Sequence, residues 1–400
     1  MNTMVSRQVV GGAQDVKTVT QGGRALLGGH RAAAPANFQH RMKSSGPKTQ
    51  HRQVTTCVTG GANSSKYGAR VIGTGSAAPS AVLTNHDLEK LVDTNDEWIF
   101  SRTGISRRHI LGDDESLTEF AAEAAAKALE MGGVDASEVD LILLCTSTPD
   151  DLFGSACQVQ GRLGASNAVS YDLTAACSGF VVGLVTAVHM MRGGAFKNVL
   201  VIGADALSRY VDWRDRGTCI LFGDGCGAVL LKGVDDGACS MLGFDMNSDG
   251  SMNKALVAPF DAELDDCDPS KPLSSACADG KGSFENITMK GSDIFKFAVR
   301  AVPEVVGKAL KAGGLEVEDI DHLVLHQANQ RIIESAAKRL KLSDDKIVSN
   351  ISEYGNTSAA SIPLAFDEAV REGKVKEGDV VAFAGFGAGL TWASAIMRFG

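Results

Sequence analysis

The chain has 400 residues, of which 44% are hydrophobic and 22% are charged, values that are typical of a globular protein. This length is enough for two domains or for one large layered unit. No apolar run approaches the roughly 18 residues that a membrane-spanning helix requires, so we predict a soluble protein. The nine cysteines are scattered without paired metal-type spacing, which indicates reduced thiols rather than disulfides.

Charge is distributed unevenly along the chain. Residues 1–66 contain nine Lys/Arg and a single acidic residue, whereas the remainder carries 30 basic and 47 acidic residues, a net charge of −17. A segment that is basic, poor in acids, rich in Ser, Thr, Ala, Gly and Gln and without apolar periodicity resembles an organelle transit peptide. We predict a plastid location first and a mitochondrial one second, with a disordered tail or cloning remnant as the alternative.

The first strand pattern, ARVIGTGSAAP at residues 69–79, contains the spacing G-x-G-x-x-A that dinucleotide-binding loops use. Pro79 follows directly and no helical pattern begins there, so the strand–loop–helix setting of such a site is missing. His and Cys spacing offers no metal site, and no basic-aromatic stripe indicates nucleic acid. We therefore predict no cofactor and no metal.

Two stretches align without a gap at an offset of 181 residues: KALEMGGVDASEVDLILLC, 127–145, and KALKAGGLEVEDIDHLVLH, 308–326. Each reads as a helix end, a Gly-Gly stop, an acidic turn and an apolar strand. A second pair, beginning at Cys177 and Asn356, follows at an offset of 179 and again leads into strands. Chance similarity of two βα units is the alternative, but the matching order favours duplication. Alternating strands and helices then predict two α/β halves, 67–240 and 241–400, with mostly parallel sheets.

The stretch SYDLTAACSGF, residues 170–180, sets Cys177 among small side chains just before the apolar run FVVGLVTAVHMM. This pattern predicts a strand-to-helix corner, where unpaired backbone N–H groups and the helix dipole favour a thiolate. A buried structural cysteine is the alternative, and this stretch alone does not separate the two.

A further segment, residues 261–286, is acidic and rich in turn-forming residues. It predicts a variable surface loop. Cys267 and Cys277 within it are interpreted as free thiols.

Two polar residues of the second half lie at the ends of predicted secondary-structure elements. His326 ends the apolar strand in LVLHQANQRI, and Asn356 precedes a small-residue helix in EYGNTSAASIP. Taken singly, the histidine is explained as a strand-end residue whose hydrogen bonds are satisfied, and the asparagine as the N-cap of the following helix. Because the repeat brings both halves to one centre, we predict that Cys177, His326 and Asn356 share a single pocket.

Six segments form a set: NDEWIFSRTGISRRHI, DLTAACSGF, DRGTCILFGDGCGAVLL, LHQANQRI, YGNTSAASIPLA and GFGAGLTWASAIMRF. In this order they resemble the β-ketoacyl-acyl-carrier-protein (ACP) synthase III enzymes of the thiolase superfamily, over residues 69–399. The resemblance implies a thiolase-like fold, in which two duplicated βαβαβ-type halves pack face to face in a layered α-β-α-β-α arrangement. It also implies a homodimer that starts type II fatty-acid synthesis, here in the plastid stroma.

The resemblance further implies a mechanism. Cys177 would be acylated by acetyl-CoA, and decarboxylation of malonyl-ACP would then give acetoacetyl-ACP, CO₂ and CoA. A thiolate attacks thioesters readily, and the Nε2–H of His326 and the amide of Asn356 suit the enolate oxygen as donors. The oxyanion on the acyl-cysteine would be held by backbone N–H groups of Cys177 and Ala388, where the family often has Gly.

Substrate contacts are also implied by the resemblance. Trp98 and Arg216 would sandwich the CoA adenine, Arg102 would meet the CoA phosphates and Asn329 the pantetheine arm. A basic patch would attract the acidic carrier protein, and it consists of Lys296, Arg331, Lys338 and Arg339. Leu152 and Phe153 would limit the acyl pocket across the dimer interface. Without the resemblance, Trp98 would be explained as an aromatic residue of the core, and the arginines and lysines as solvated surface charges.

Two other functions remain open from the sequence. A chalcone-synthase-type polyketide synthase shares a Cys-His-Asn set, but that class usually carries Pro where this chain has Ala388. A non-catalytic acyl-CoA-binding scaffold of the same fold is the second, and the intact set of Cys177, His326 and Asn356 argues against it.

Overall fold

The computed structural model describes residues 65–261 and 282–400. Within them the strands β1 to β16 are Gly68–Ala77, Val82–Thr84, Arg107–His109, Leu141–Cys145, Val169–Leu173, Asn198–Ala206, Asp224–Val234, Met241–Ser248, Leu256–Val257, Phe260–Asp261, Ser283–Phe284, Thr288–Met289, His322–Leu325, Ile347–Val348, Val380–Gly387 and Thr391–Arg398. The helices α1 to α9 of the same ranges are Asn85–Leu88, Asp96–Thr103, Leu117–Gly132, Ala156–Leu163, Gly179–Met191, Gly291–Ala312, Gln330–Leu340, Ile351–Tyr354 and Ser361–Arg371. The predicted transit peptide, almost in full, and Cys267 and Cys277 lie outside the described residues.

Two five-stranded sheets repeat one order and one set of strand directions. In the order β1-β7-β6-β4-β5, the first two pairs are antiparallel and the last two parallel. The order β8-β16-β15-β13-β14 follows the same pattern. The two repeated strand pairs of the sequence, β4 with β13 and β6 with β15, therefore occupy matching positions. In each sheet four strands run in one direction, as the prediction of mostly parallel sheets expects, and one strand, β7 or β16, runs antiparallel to them.

The layers follow from which helix packs on which sheet. Helix α3 covers the outer face of the first sheet, and α6 and α7 lie on the outer side of the second. Helices α5 and α9 lie between the sheets and share one hydrophobic cluster with strands of both. This is the layered α-β-α-β-α arrangement that the resemblance implies.

The sequence of α5 explains why this helix lies between the two sheets. Its sequence GFVVGLVTAVHMM is apolar on all sides, and Phe180, Val181, Leu184 and Val188 are each no more than 1% exposed. A helix without a polar face is stable only where neighbours cover it entirely. Packing between two sheets meets that requirement.

The glycine-rich segment of β1 has no dinucleotide-binding geometry. Strand β1 pairs antiparallel with β7 and is followed by the short strand β2 rather than by a helix, which confirms the sequence interpretation. Across residues 65–261 and 282–400, no helix has the length and apolar character needed to cross a membrane.

Candidate active site

Cys177 lies at the predicted strand-to-helix corner. It is the middle residue of a short 3₁₀ helix, Ala176–Ser178, which runs directly into α5. The side chain is only 6% exposed, and burial raises the pKa of Cys177 to about 12, while a hydrogen bond from Ser358 opposes the shift. Burial thus opposes ionisation of the thiol, whereas the backbone N–H groups at the helix start, which are predicted to favour the thiolate, act in the other direction.

The second half presents a matching turn. A 3₁₀ helix at Ser358–Ala360 precedes α9, and its first residue has φ of 51°, as the first residue of the Cys177 turn, Ala176, has φ of 47°. The structural offset is thus 182 residues, so the counterpart of Cys177 is Ala359. The predicted equivalence of Cys177 and Asn356 is wrong by three residues.

Each turn packs on the central strand of the opposite half. A Cβ atom at Gly203 of β6 would lie 2.2 Å from the carbonyl oxygen of Ala359, and one at Gly385 of β15 would lie 3.0 Å from Cα of Ser178. Only glycine permits these approaches. They bring the helix starts of the two halves to one centre, as the repeat predicts.

His326 immediately follows strand β13 and is 2% exposed. Its Nδ1 lies 2.8 Å from Oγ of Ser361, which itself lies 2.8 Å from the carbonyl oxygen of Ser358. Burial lowers the pKa of His326 to about 3. The imidazole is therefore neutral at physiological pH, and it can donate one hydrogen bond and accept one.

Asn356 is held by its backbone and by one side-chain atom. Its N–H donates to the carbonyl of Leu221, and its carbonyl accepts from the N–H of Gly223. The side-chain Oδ1 accepts a hydrogen bond of 2.9 Å from the N–H of Ser358. Because Oδ1 is used in this way, Nδ2 is the end of the amide that remains to donate to a bound group.

The three predicted residues line a single cavity of about 460 Å³, which confirms that the fold brings them together. The same cavity is lined by Arg102, Asn329, Lys296 and Arg331, all of which are predicted substrate contacts. A second cavity of about 210 Å³ is also lined by Cys177 and mainly by apolar residues, among them Leu207, Tyr210 and Phe284. Cys177 thus lines both cavities, and only the larger one also contains the charged and amide side chains named above.

The predicted CoA contacts cluster on and around α2. The guanidinium carbon of Arg216 lies 5.1 Å from the centroid of the Trp98 ring, and that of Arg102 lies 6.0 Å from it. Asn329 caps α7 and donates from Nδ2 to the carbonyl of Arg102. A flat cationic surface beside an aromatic ring is suited to stack a planar base.

The predicted basic patch is exposed on α6 and α7. Lys296 and Arg331 lie at the channel, and Lys338 and Arg339 lie in the last turn of α7. The guanidinium of Arg331 lies 5.4 Å from the Phe295 ring centroid. Three of the four cations therefore lie along α7, and Lys296 lies on α6 beside the cavity. Among the described residues, no group of three or more His, Cys, Asp or Glu side chains is arranged to hold a metal ion.

Known proteins resemble the chain closely. It is 55% identical over 336 residues to β-ketoacyl-[acyl-carrier-protein] synthase III of Microcystis aeruginosa, a match that covers 84% of this chain and 99% of the relative. It is 54% identical to the chloroplastic enzyme of that name from Arabidopsis thaliana, over 83% of both chains. The chain belongs to the 3-oxoacyl-[acyl-carrier-protein] synthase III family. Models of this family match residues 171–250 and, for its C-terminal part, 310–399.

The structural comparison agrees. The crystal structure of the synthase III from Aquifex aeolicus superposes with a TM-score of 0.74 at 43% identity, over 83% of this chain and all of that one. The protein is accordingly an acyltransferase, the initiating condensing enzyme of fatty-acid synthesis. The comparisons do not favour the alternative of a chalcone-synthase-type enzyme.

Ala388 is compatible with the backbone of the synthase III glycine motif. It begins the short 3₁₀ helix Ala388–Leu390 and lines the apolar pocket. The positive φ in this turn, 125°, falls on Gly389 and not on Ala388. An alanine therefore meets no left-handed strain at this position.

Leu152 and Phe153 do not reach Cys177 within one chain. They are 86% and 96% exposed and line a separate surface cavity of about 690 Å³. That cavity shares Tyr210 and Phe284 with the apolar pocket.

Sequence reasoning missed three buried polar residues around this site. Ser358 donates from Oγ to Sγ of Cys177 at 3.3 Å, and Ser361 contacts His326. Asp205, at the end of β6, is completely buried. The two serines lie inside the quoted motif YGNTSAASIP. For Asp205, the signal was an acidic residue at the end of the apolar strand NVLVIGAD.

Proposed function

We propose that this synthase III transfers an acetyl group from acetyl-CoA to Cys177 and then condenses it with malonyl-ACP. The observation that carries the proposal is the single cavity lined by Cys177, His326 and Asn356, which extends to Arg102 and Asn329. A thioester in that cavity has a nucleophile on one side of its carbonyl and neutral hydrogen-bond donors on the other. The products are acetoacetyl-ACP, CO₂ and CoA.

Acylation comes first in this scheme. The Cys177 sulfur attacks the carbonyl carbon of acetyl-CoA, and CoA leaves as its thiol. The N–H groups of Cys177 and Ala388 are proposed to hold the oxyanion, because each belongs to the opening of a short helix, where N–H groups have no intrahelical acceptor. A Cβ at Gly387 would lie 2.6 Å from the Cys177 nitrogen, so the two loops are close enough to act together.

Decarboxylation follows. Loss of CO₂ from the malonyl group places negative charge on the thioester oxygen, and the Asn356 Nδ2–H and a His326 Nε2–H are the proposed donors to it. A neutral histidine suits this role, because a donor of high pKa stabilises an enolate without protonating it. The carbanion then attacks the acetyl-cysteine carbonyl, the C–S bond to Cys177 breaks, and the released thiolate takes up one proton from solvent.

The substrate contacts are proposed as follows. The Trp98–Arg216 pair stacks the CoA adenine, Arg102 binds the CoA phosphates and Asn329 binds the pantetheine arm. The carrier protein docks on the basic patch, which comprises Lys296, Arg331, Lys338 and Arg339. A local cluster of cations on a chain of net negative charge attracts an acidic partner selectively.

We further propose that the enzyme works as a homodimer. Each chain in it consists of two halves, residues 67–240 and 241–400. Within the described part of the chain, β5 is the last strand of its sheet and carries exposed Val169 and Tyr171, with exposed Leu152 and Phe153 nearby in sequence. An exposed apolar edge of this kind is stabilised when another strand covers it. The partner's copy of Leu152 and Phe153 would then close the acyl pocket.

Residues 1–66 are proposed to be a plastid transit peptide. The match to the cyanobacterial relative covers 99% of that chain, whereas the match to the Arabidopsis chloroplastic relative leaves 17% of each chain unmatched. The basic, acid-poor composition of residues 1–66 agrees with such a signal. Import of the full chain into isolated plastids, followed by mass measurement of the processed product, tests this assignment.

The activity is tested by incubating the purified chain with labelled acyl-CoAs of rising length and measuring the mass of the Cys177 peptide. Acetyl transfer followed by acetoacetyl-ACP formation with malonyl-ACP supports the proposal. Condensation with malonyl-CoA but not with malonyl-ACP contradicts it. The acyl length at which labelling stops reports the depth of the apolar pocket.

A further inference from the structure

Ser358 begins the turn of the second half, and its backbone is held on both sides. Its N–H donates to Oδ1 of Asn356 at 2.9 Å, and its carbonyl oxygen lies 2.8 Å from the hydroxyl oxygen of Ser361. The next residue, Ala359, donates its N–H to the buried carboxyl group of Asp205. These contacts hold Ser358 at a φ of 51°, an uncommon conformation for a non-glycine residue, and they also fix the direction of its side chain.

The Ser358 hydroxyl donates a hydrogen bond to the sulfur of Cys177, at an Oγ–Sγ distance of 3.3 Å. Ser358 is the first residue of one turn, and Cys177 is the second residue of the matching turn in the other half. The two residues are 2% and 6% exposed, so water competes little for this hydrogen bond, and its electrostatic strength is greater than in water. A hydroxyl has one hydrogen, and here that hydrogen points to the nucleophile.

The donors in the proposed mechanism serve oxygen atoms rather than sulfur. The N–H groups of Cys177 and Ala388 are assigned to the acyl oxyanion, and His326 and Asn356 to the enolate oxygen. The sulfur, however, carries negative charge twice, first as it attacks acetyl-CoA and again when the C–S bond of acetyl-cysteine breaks. Within residues 65–261 and 282–400, the Ser358 hydroxyl is the one side-chain group that donates a hydrogen bond to this sulfur.

We propose that Ser358 is a further catalytic residue, which stabilises negative charge on the Cys177 sulfur by donating a hydrogen bond to it, an inference that rests on the proposed function. A hydrogen bond to an ionised group is about twice as strong as one between neutral groups. The contact therefore stabilises the developing thiolate more than the resting thiol, and this difference accelerates the reaction. The serine keeps its proton throughout, so no bond to its hydroxyl is made or broken.

The test compares Ser358→Ala with the parent enzyme in two reactions of the thiol at pH 7. The mass of the Cys177 peptide gives the rate of alkylation by iodoacetamide and the rate of single-turnover acetylation by acetyl-CoA. Loss of one hydrogen bond to a charged group lowers the thiolate fraction about tenfold or more, and the higher intrinsic reactivity of the remaining thiolate offsets part of this loss. We therefore expect both reactions to slow about 3–10-fold. Steric blocking cannot cause the slower alkylation, because the substitution removes an atom beside the sulfur.

A third measurement separates this role from damage to the site. Once fully acetylated, Ser358→Ala should release CO₂ from malonyl-ACP within about twofold of the parent rate, because His326 and Asn356 remain and the backbone N–H that holds Asn356 is unchanged. The variant should fold, since the matching turn already has alanine, Ala176, at a φ of 47°.

Ser208→Ala is the matched control. Ser208 is a buried serine that donates to the carboxylate of Asp224, and it lines neither cavity of Cys177. The control should be alkylated and acetylated at the parent rates.

The outcomes are distinguishable. A parent enzyme that acetyl-CoA does not acetylate overturns the proposed function, whatever the alkylation rates are. A parent that is acetylated, together with Ser358→Ala reacting within twofold of it in both thiol reactions, overturns the role of Ser358 alone. Loss of CO₂ release to the same extent as acetylation also contradicts that role, because it shows general damage to the site. Slow alkylation and acetylation with normal CO₂ release support it.

Discussion

The hydroxyl oxygen of Ser361 lies 2.8 Å from Nδ1 of His326 and 2.8 Å from the carbonyl oxygen of Ser358. A hydroxyl has one hydrogen, so it can donate to only one of these two acceptors. When that hydrogen points to Nδ1, the neutral imidazole carries its own proton on Nε2. When it points to the Ser358 carbonyl, Nδ1 carries the proton and Nε2 is an acceptor. The enolate-binding role proposed for His326 requires the first arrangement.

The first prediction concerns this serine. Ser361→Ala should lower the rate of malonyl-ACP decarboxylation about tenfold, because nothing then favours the Nε2–H tautomer. Acetylation of Cys177 should change less than twofold. Release of CO₂ from malonyl-ACP and mass labelling of the Cys177 peptide measure the two steps separately. Equal loss of both steps would point to a structural role instead.

The second prediction divides the roles of the catalytic residues. His326→Ala and Asn356→Ala should still accept an acetyl group on Cys177 but should decarboxylate malonyl-ACP about 10²–10³-fold more slowly, since each removes one donor to the enolate oxygen. His86→Ala, at a side chain that is 74% exposed, is the matched control and should retain full activity. Failure of both active-site variants to become acetylated contradicts the division of roles.

The third prediction is a pH dependence. Because burial lowers the pKa of His326 to about 3, the imidazole is already neutral at pH 6 and does not titrate above it. Decarboxylation by the acetylated enzyme should therefore show no inflection near pH 6.5 between pH 6 and pH 8. A rate that falls about tenfold per unit above pH 6.5 would show that the imidazolium is the active form.

The fourth prediction concerns the carrier protein. Arg339→Glu should raise the KM for malonyl-ACP at least tenfold at low ionic strength and leave condensation with malonyl-pantetheine nearly unchanged, because Arg339 is exposed in the last turn of α7 and does not line the catalytic cavity. Added salt should narrow the difference between variant and parent. Lys232→Glu makes the same charge change at an exposed position near the end of β7, in the other half of the chain, and should leave the KM unchanged. An equal KM for both variants argues against docking on this patch.

The sequence by itself determined the duplicated α/β architecture and indicated three candidate catalytic residues that line one cavity. Periodicity, Gly-Gly stops and the repeat at 127–145 and 308–326 are local patterns, and they identified strand pairs that occupy matching sheet positions. Cys177, His326 and Asn356 could be selected because each ends or begins an element. The alignment of the second repeat failed by three residues, since small-residue helix starts look alike and only backbone geometry shows that Ala176 matches Ser358.

The tertiary structure alone decided the protonation states and the supporting hydrogen bonds. The contact between Ser358 and Cys177 joins residues 181 positions apart, and that between Asp205 and Ala359 joins residues 154 positions apart. A pKa is set by the desolvation and the neighbours of a group, and both come from chain segments that no local pattern connects. For this reason the sequence indicated the helix start that favours ionisation of Cys177, whereas only the packing between two sheets shows the burial that opposes it.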